Sequence, residues 1–169
     1  MQPALLVIAQ KGYQDVELQG TRDGLLDAGF TVVLASTKKG ECVGKYGGYE
    51  TAEIALKDVD VKKYDRVAFI GGPGMTQAWQ DEETKRIARD AAKAGMVVGA
   101  ICIAPKILAA AEVLAGKKAT VANGDGDQDG FLALYDCEYT GDPVTVDGKI
   151  VTANGPDAAE EFGKVLAAL

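Results

Sequence analysis

The chain has 169 residues, 47% of them apolar, with 18 Lys and Arg against 25 Asp and Glu for a formal charge of −7. That length and apolar content suit a domain with a full core and exclude disordered, collagen-like and coiled-coil classes, while the acidic balance with scattered basic residues leaves no footprint for nucleic acid or an anionic membrane. There is no histidine, so neither a Ser-His-Asp nor a Cys-His triad can form, and Cys42, Cys102 and Cys137 are too far apart in sequence to make a Cys-x-x-Cys zinc motif.

Residues 4–9 form a continuous apolar run, the pattern of a strand covered on both faces, followed by the turn residues Lys11 and Gly12. The run is too short to cross a bilayer and lacks the basic flank and cleavage site of a signal peptide. The odd cysteine count suits a reducing compartment, so a cytoplasmic protein is expected. A helix is expected over about 13–28, with Leu18, Leu25 and Leu26 on its apolar side. Gly20 and Gly24 fall among its polar positions and weaken it, and Gly29 stops it. Residues 31–36 make a second buried strand, and the quick return to β implies a right-handed βαβ unit in a mostly parallel sheet. Glycines 44, 47 and 48, set among Val43, Tyr46 and Tyr49, suggest a small hairpin between residues 40 and 54 that decorates the sheet.

A third buried strand, 66–70, runs into Gly71-Gly72-Pro73-Gly74. Residues 81–93 carry Ile87, Ala88, Ala91 and Ala92 on one side of an otherwise charged helix that stops at Gly95. A fourth strand, 96–101, ends at Cys102, and 103–115 is nearly all helix formers up to Gly116. Beyond it come a short strand at 118–122, an acidic loop at 125–129, a hairpin over 144–152 turning at Asp147-Gly148, and a closing helix over 157–169. The alternation has no linker or repeat. It predicts one domain, a three-layer α/β/α sandwich with a flavodoxin-like sheet and its ligand site at the carboxyl ends of the strands.

Three segments reach that edge, each with a functional and a structural explanation. Gly71 to Gly74 is either a loop whose bare N–H groups face an anion or a tight strand-to-helix turn. It lacks the spacing of a dinucleotide fingerprint. Cys102, between a buried strand and a helix start, is either a thiol activated by helix N-terminal N–H groups or a small core hydrophobe. Glu17 in the first helical turn either complements the helix dipole or, kept protonated, donates a hydrogen bond to the Cys102 sulfur. Cys42 and Cys137 have no activating surroundings and read as structural or exposed thiols.

Gly99-Ala100-Ile101-Cys102-Ile103-Ala104-Pro105, with Gly71-Gly72-Pro73-Gly74, residues 11–17 and the late Thr152-Ala153-Asn154-Gly155-Pro156, resembles the DJ-1/PfpI family of the class I glutamine amidotransferase-like fold across nearly the whole chain. The resemblance implies that Cys102 is the reactive cysteine, Glu17 its contacting glutamate, and Gly72 and Ile103 the donors of an oxyanion pocket. It also implies a homodimer or larger assembly, no cofactor and no metal. PfpI-type peptidases place histidine where Ile103 stands, so peptidase activity is the least supported family activity here. DJ-1-like members carry a histidine where this chain has Ala122-Asn123-Gly124, and Asn123 can donate a hydrogen bond into the pocket but cannot shuttle a proton. The expectation is a DJ-1-like stress protein of glyoxalase or deglycase type, acting on small reactive carbonyls through Cys102. The alternative is a redox sensor or chaperone-like protein whose Cys102 is oxidised by peroxide to a sulfinic acid.

Overall fold

The apolar runs become the central strands of the computed structural model, which describes all 169 residues. In chain order the elements are β1 (Ala4–Val7), β2 (Lys11–Tyr13), α1 (Asp15–Asp27), β3 (Val32–Ser36), β4 (Gly40–Gly44), β5 (Tyr49–Ala52) and β6 (Ile54–Ala55). There follow β7 (Arg66–Phe69), α2 (Glu82–Lys93), β8 (Val97–Ile101), α3 (Pro105–Ala110), β9 (Lys118–Ala119), α4 (Gln128–Leu134), β10 (Glu138–Tyr139), β11 (Val144–Asp147), β12 (Ile150–Ala153) and α5 (Ala159–Ala168). Seven strands form one sheet in the order β11-β12-β8-β7-β1-β3-β6. Every pairing in it is parallel except β11 with β12. Every residue of β1, β7 and β8 is buried, as strands covered by helices on both faces must be. α1 packs on α5 and α2 on α3 to complete the three layers. No helix is long and apolar enough to cross a membrane.

From β1 the chain moves to β3 on one side, and later to β7 and β8 on the other. The loops leaving β1 and β7 therefore diverge at their carboxyl ends, and a crevice opens there. Helix signals acted as expected at α2, where the Asp81 side chain accepts the Thr84 N–H at the N-cap and Ile87, Ala88 and Ala91 face inward.

Several expectations give way to tertiary packing. The helix expected over 103–115 stops at Ala110. Glu112 takes a left-handed φ of 63°, its N–H reaching the Ala109 carbonyl and the Val113 N–H the Leu108 carbonyl, a closure of Schellman type before Gly116 is reached. The strand at 118–122 shrinks to β9, which pairs with β10 outside the main sheet. Only residues 125–127 of the acidic segment lie outside a helix, because α4 starts at Gln128. The late hairpin turns about Gly148-Lys149, one residue on from the expected position, with Gly148 at φ 62°. The 40–54 hairpin forms from β4 and β5, and β2 adds to it as a third, parallel strand.

Gly20 and Gly24 are not a weakness on a solvated face. A Cβ at Gly24 would lie 2.3 Å from the Gly163 carbonyl carbon, and one at Gly20 would lie 2.9 Å from Ala159 Cβ. The two helices touch backbone to backbone through small residues. Gly24→Ala therefore tests the seam: intrinsic helix propensity favours Ala by about 1 kcal/mol, yet overpacking is expected to cost a net 1–3 kcal/mol or so in urea unfolding. A gain in stability would mean that α1 and α5 are free to move apart.

Candidate active site

The loop from β2 into α1 places the first acidic group. Gln14 is the N-cap of α1, and its side-chain Oε1 accepts the Glu17 N–H at 2.8 Å. A glutamate three residues after the cap usually reaches back to the N-cap N–H. Here that N–H instead donates to the Gly71 carbonyl at 2.9 Å, which frees the Glu17 side chain to turn inward. Glu17 is fully buried, and its Oε1 accepts the Gly71 N–H at 2.9 Å. Its Oε2 is buried with no hydrogen-bond partner.

Cys102 follows β8 with φ 66°, a left-handed conformation that costs a non-glycine residue about 1–3 kcal/mol and that only rigid surroundings sustain. The Cys102 N–H donates to the Ala153 carbonyl at 2.9 Å, and its own carbonyl accepts the Ala122 N–H at 2.8 Å, so the elbow is fixed from both sides. The half-buried sulfur is thereby presented beside Glu17. Gly71 separates the two residues, and a Cβ there would be 2.6 Å from both Cys102 Cβ and Glu17 Oε1. At Gly72, with φ 120°, a Cβ would be 2.3 Å from the Gly12 carbonyl oxygen, so only glycine lets these loops interlock.

Burial pushes the Glu17 carboxyl up to about 7, although contact with Cys102, the Gly71 N–H and the charge of Lys45 work against the rise. Burial, followed by the charge and contact of the Glu17 carboxyl, pushes the Cys102 thiol up to about 12. The pocket accepts one negative charge readily and resists a second, so the pair releases one proton near neutrality and holds the other. A thiol lowered by a helix N-terminus was one of the two sequence readings, the other being a small core hydrophobe, and burial instead raises it. α3 begins at Pro105, which has no N–H to offer, and only the Ile103 N–H and Lys45 lower the thiol.

The pair opens into a pocket of about 380 Å³. Gly72 and Ile103 both line it; neither N–H has a backbone carbonyl as acceptor, and that of Ile103 is directed at the Cys102 sulfur. Asn123 does not line it. Its Oδ1 accepts the N–H groups of Gln128 at 2.8 Å and Asp129 at 3.3 Å, so the side chain caps α4 while Ala122 and Gly124 face the pocket. Lys45 and Tyr46, from the turn between β4 and β5, were not anticipated and form part of the wall. The Asp15 carboxylate holds that turn by accepting the Tyr46 N–H at 2.9 Å and the Gly48 N–H at 2.8 Å. The cluster of glycines around Lys45 was the available signal: a Cβ on Gly44 or Gly48 would sit 2.4 Å from Asp15 Oδ2. Cys42 and Cys137 are buried elsewhere. A larger hollow of about 480 Å³ between α1 and α5 has no thiol or hydroxyl in its walls, and no group of three or more Cys, Asp or Glu side chains is arranged to hold a metal ion.

A model of the DJ-1/PfpI family matches residues 3–169. A Methanocaldococcus jannaschii protein is 36% identical over 160 residues, covering 94% of this chain and 78% of that protein. Deglycase PfpI of Pyrococcus furiosus is 30% identical over 152 residues, 90% of each chain. The glutathione-independent glyoxalase DJR-1.2 of Caenorhabditis elegans is 28% identical over 161 residues, 94% of this chain and 83% of that one. Among solved structures, a ThiJ/PfpI domain protein from Brachyspira murdochii superposes with a TM-score of 0.93 at 27% identity, covering 98% of this chain and 94% of the other.

Alkylation of Cys102, resolved by peptide mass spectrometry, is expected to accelerate through a step near pH 7, where the pair loses its first proton. Glu17→Gln removes that proton and the like charge together. The step near 7 should vanish in favour of one above the free-thiol value of about 8.5, because burial remains. That step should also lie below about 12, because the carboxylate has gone. Identical profiles for the two proteins would uncouple the residues. Asn123→Ala should lower stability by about 1 kcal/mol through loss of the α4 cap and leave the alkylation profile unchanged; a shifted profile would return Asn123 to the pocket.

Proposed function

The chain belongs to the DJ-1/PfpI family, and from that premise we propose that it is a cysteine-dependent enzyme acting on small reactive carbonyls, of the deglycase or glutathione-independent glyoxalase kind for which its relatives are named. The observation that carries this reading is the pair of N–H groups at Gly72 and Ile103, neither engaged by a backbone carbonyl, in the pocket that holds the Cys102–Glu17 couple. Two amides without a carbonyl partner beside a nucleophile suit an oxygen that gains charge when the nucleophile adds.

With a 2-oxoaldehyde such as methylglyoxal, the sulfur forms a bond to the aldehyde carbon and the carbonyl electron pair moves to oxygen. The two amides hold that oxygen until Glu17 delivers a proton. Glu17, now a carboxylate, removes the proton from the same carbon, and the electron pair enters the carbon–carbon bond, leaving charge on the second oxygen. The first hydroxyl's proton passes to that second oxygen, and Glu17 returns its proton to the second carbon. A thioester of a 2-hydroxy acid results. Water cleaves it, releasing the hydroxy acid anion and restoring the thiolate; of the two protons set free, one returns to Glu17 and the other leaves to solvent. The sequence is redox neutral, and Glu17 carries the proton that a histidine would carry elsewhere. A carboxyl raised to about 7 is matched to that task near neutral pH. A Cys-His peptidase mechanism has no imidazole to use.

The unpartnered Glu17 Oε2 beside the sulfur favours one further reading, stabilisation of a Cys102 sulfinic acid formed by peroxide. Conversion of methylglyoxal by the purified protein separates the two. Cys102→Ala is expected to abolish conversion, and Glu17→Gln to lower it by at least about a hundredfold. Unchanged turnover in either variant removes the enzymatic reading, and a stable sulfinic acid with no turnover in the parent assigns the site to redox sensing.

A further inference from the structure

The reaction above places charge on two oxygens in turn, and the amides of Gly72 and Ile103 serve only the first. A second donor has to meet the oxygen of the neighbouring carbonyl when the electron pair moves between the carbons. Gln14 is 5% exposed, lines the pocket with Cys102 and Glu17, and has its backbone against Gly72. The orientation of its amide is determined chemically. Oε1 must face the Glu17 N–H that it accepts, so Nε2 points the other way. That Nε2 donates to nothing in the chain, yet it is not among the sealed, unpartnered atoms, so it keeps contact with the cavity.

A largely buried amide whose N–H₂ has no partner in the chain and faces a cavity is a fixed donor there, available to a ligand acceptor in place of cavity water. The other polar wall groups serve this purpose less well. Thr76 Oγ1 already donates to the Pro73 carbonyl at 2.9 Å, and Lys45 is an exposed side chain in contact with solvent.

We propose that Gln14 is a substrate-binding residue whose side-chain N–H₂ receives the second carbonyl oxygen of a 1,2-dicarbonyl. The assignment rests on the carbonyl reading above and narrows it. A compound with two adjacent carbonyls uses all three donors, whereas a simple aldehyde leaves Gln14 idle. Gln14 also caps α1, so the cap and the donor have to be separated experimentally. Gln14→Ser does so, because serine is a preferred N-cap and is too short to reach the cavity. Gln14→Glu is the second variant, retaining the cap oxygen and the length while replacing the N–H₂.

Two readouts are taken for the parent and both variants: kcat/KM for methylglyoxal, and the concentration of propanal that half-protects Cys102 from alkylation. Propanal has the same three carbons and one oxygen fewer. Gln14→Ser is expected to lower kcat/KM about tenfold or more while propanal protection stays within about twofold of the parent. If Gln14→Ser does not fold, Gln14→Glu must show the same split. Methylglyoxal turnover unchanged in a folded variant overturns the assignment. So does an equal loss in both readouts, which would show Gln14 acting through the thiol or the helix. A parent that neither converts methylglyoxal nor is protected by propanal removes the carbonyl reading, and the Gln14 assignment with it. A responsive parent with an unresponsive variant removes Gln14 alone.

Discussion

Glu17 and Cys102 occupy a pocket that holds two acidic protons but only one negative charge, and the surrounding architecture follows from that restriction. The carboxyl reaches the interior because Gln14 takes over the capping of α1 and the Gly71 backbone takes over the Gln14 N–H. Once inside, Glu17 meets one amide donor, at Gly71, and the sulfur of Cys102. With so few donors its ionised form is poorly solvated, and its proton affinity rises to about 7. The same crowding raises the thiol. Each group is the main specific influence on the other, so neither acts as an independent acid.

Such a site needs rigid surroundings, because a strained elbow and an unsatisfied carboxyl oxygen would relax in a mobile one. The rigidity comes from the parallel sheet. Cys102 is tied to β12 through Ala153 and to the segment after β9 through Ala122, and the loops after β1 and β7 interlock at Gly12 and Gly72, where a side chain would have no room. The α1–α5 seam adds to this indirectly. Gly20, Gly24 and Gly163 bring the two helices to backbone contact, and α1 is the element that carries Glu17. Loosening that seam would move the carboxyl relative to the sulfur.

Much of this was legible in the amino-acid sequence. The strands that bear the site are unbroken apolar runs, and a residue between a buried strand and a helix must lie at the sheet edge, so Cys102, Glu17 and the Gly71 to Gly74 loop could be brought together on topology alone. What sequence could not resolve was decided at longer range. Helix formers over 103–115 predict a long helix, yet the left-handed turn at Glu112 ends it early. Asn123 was a pocket candidate by position, but its side chain satisfies the start of α4, an element the acidic composition of that segment concealed. The glycines of α1 read as weak helix because their partners lie some 140 residues away. An acidic thiol was one sequence reading of Cys102 because a strand-to-helix junction offers N–H groups, whereas the burial and neighbouring carboxylate that raise it act through space.

The 40–54 hairpin illustrates the same distinction from the other direction. As a sequence it is a surface decoration with two exposed tyrosines, Tyr46 and Tyr49. In the fold, Asp15 of α1 grips its turn and sets Lys45 at the mouth of the pocket, where its charge lowers both members of the pair. Asp15 lies two residues before Glu17, so one helical turn carries the buried acid inward and the anchor of the compensating cation outward. That arrangement supplies positive potential without histidine and without a buried cation, and it leaves the charge of Lys45 solvated while its field reaches the sulfur. A site built this way is sensitive to ionic strength at its rim but not at its base, because salt screens an exposed lysine far more than a sealed carboxyl.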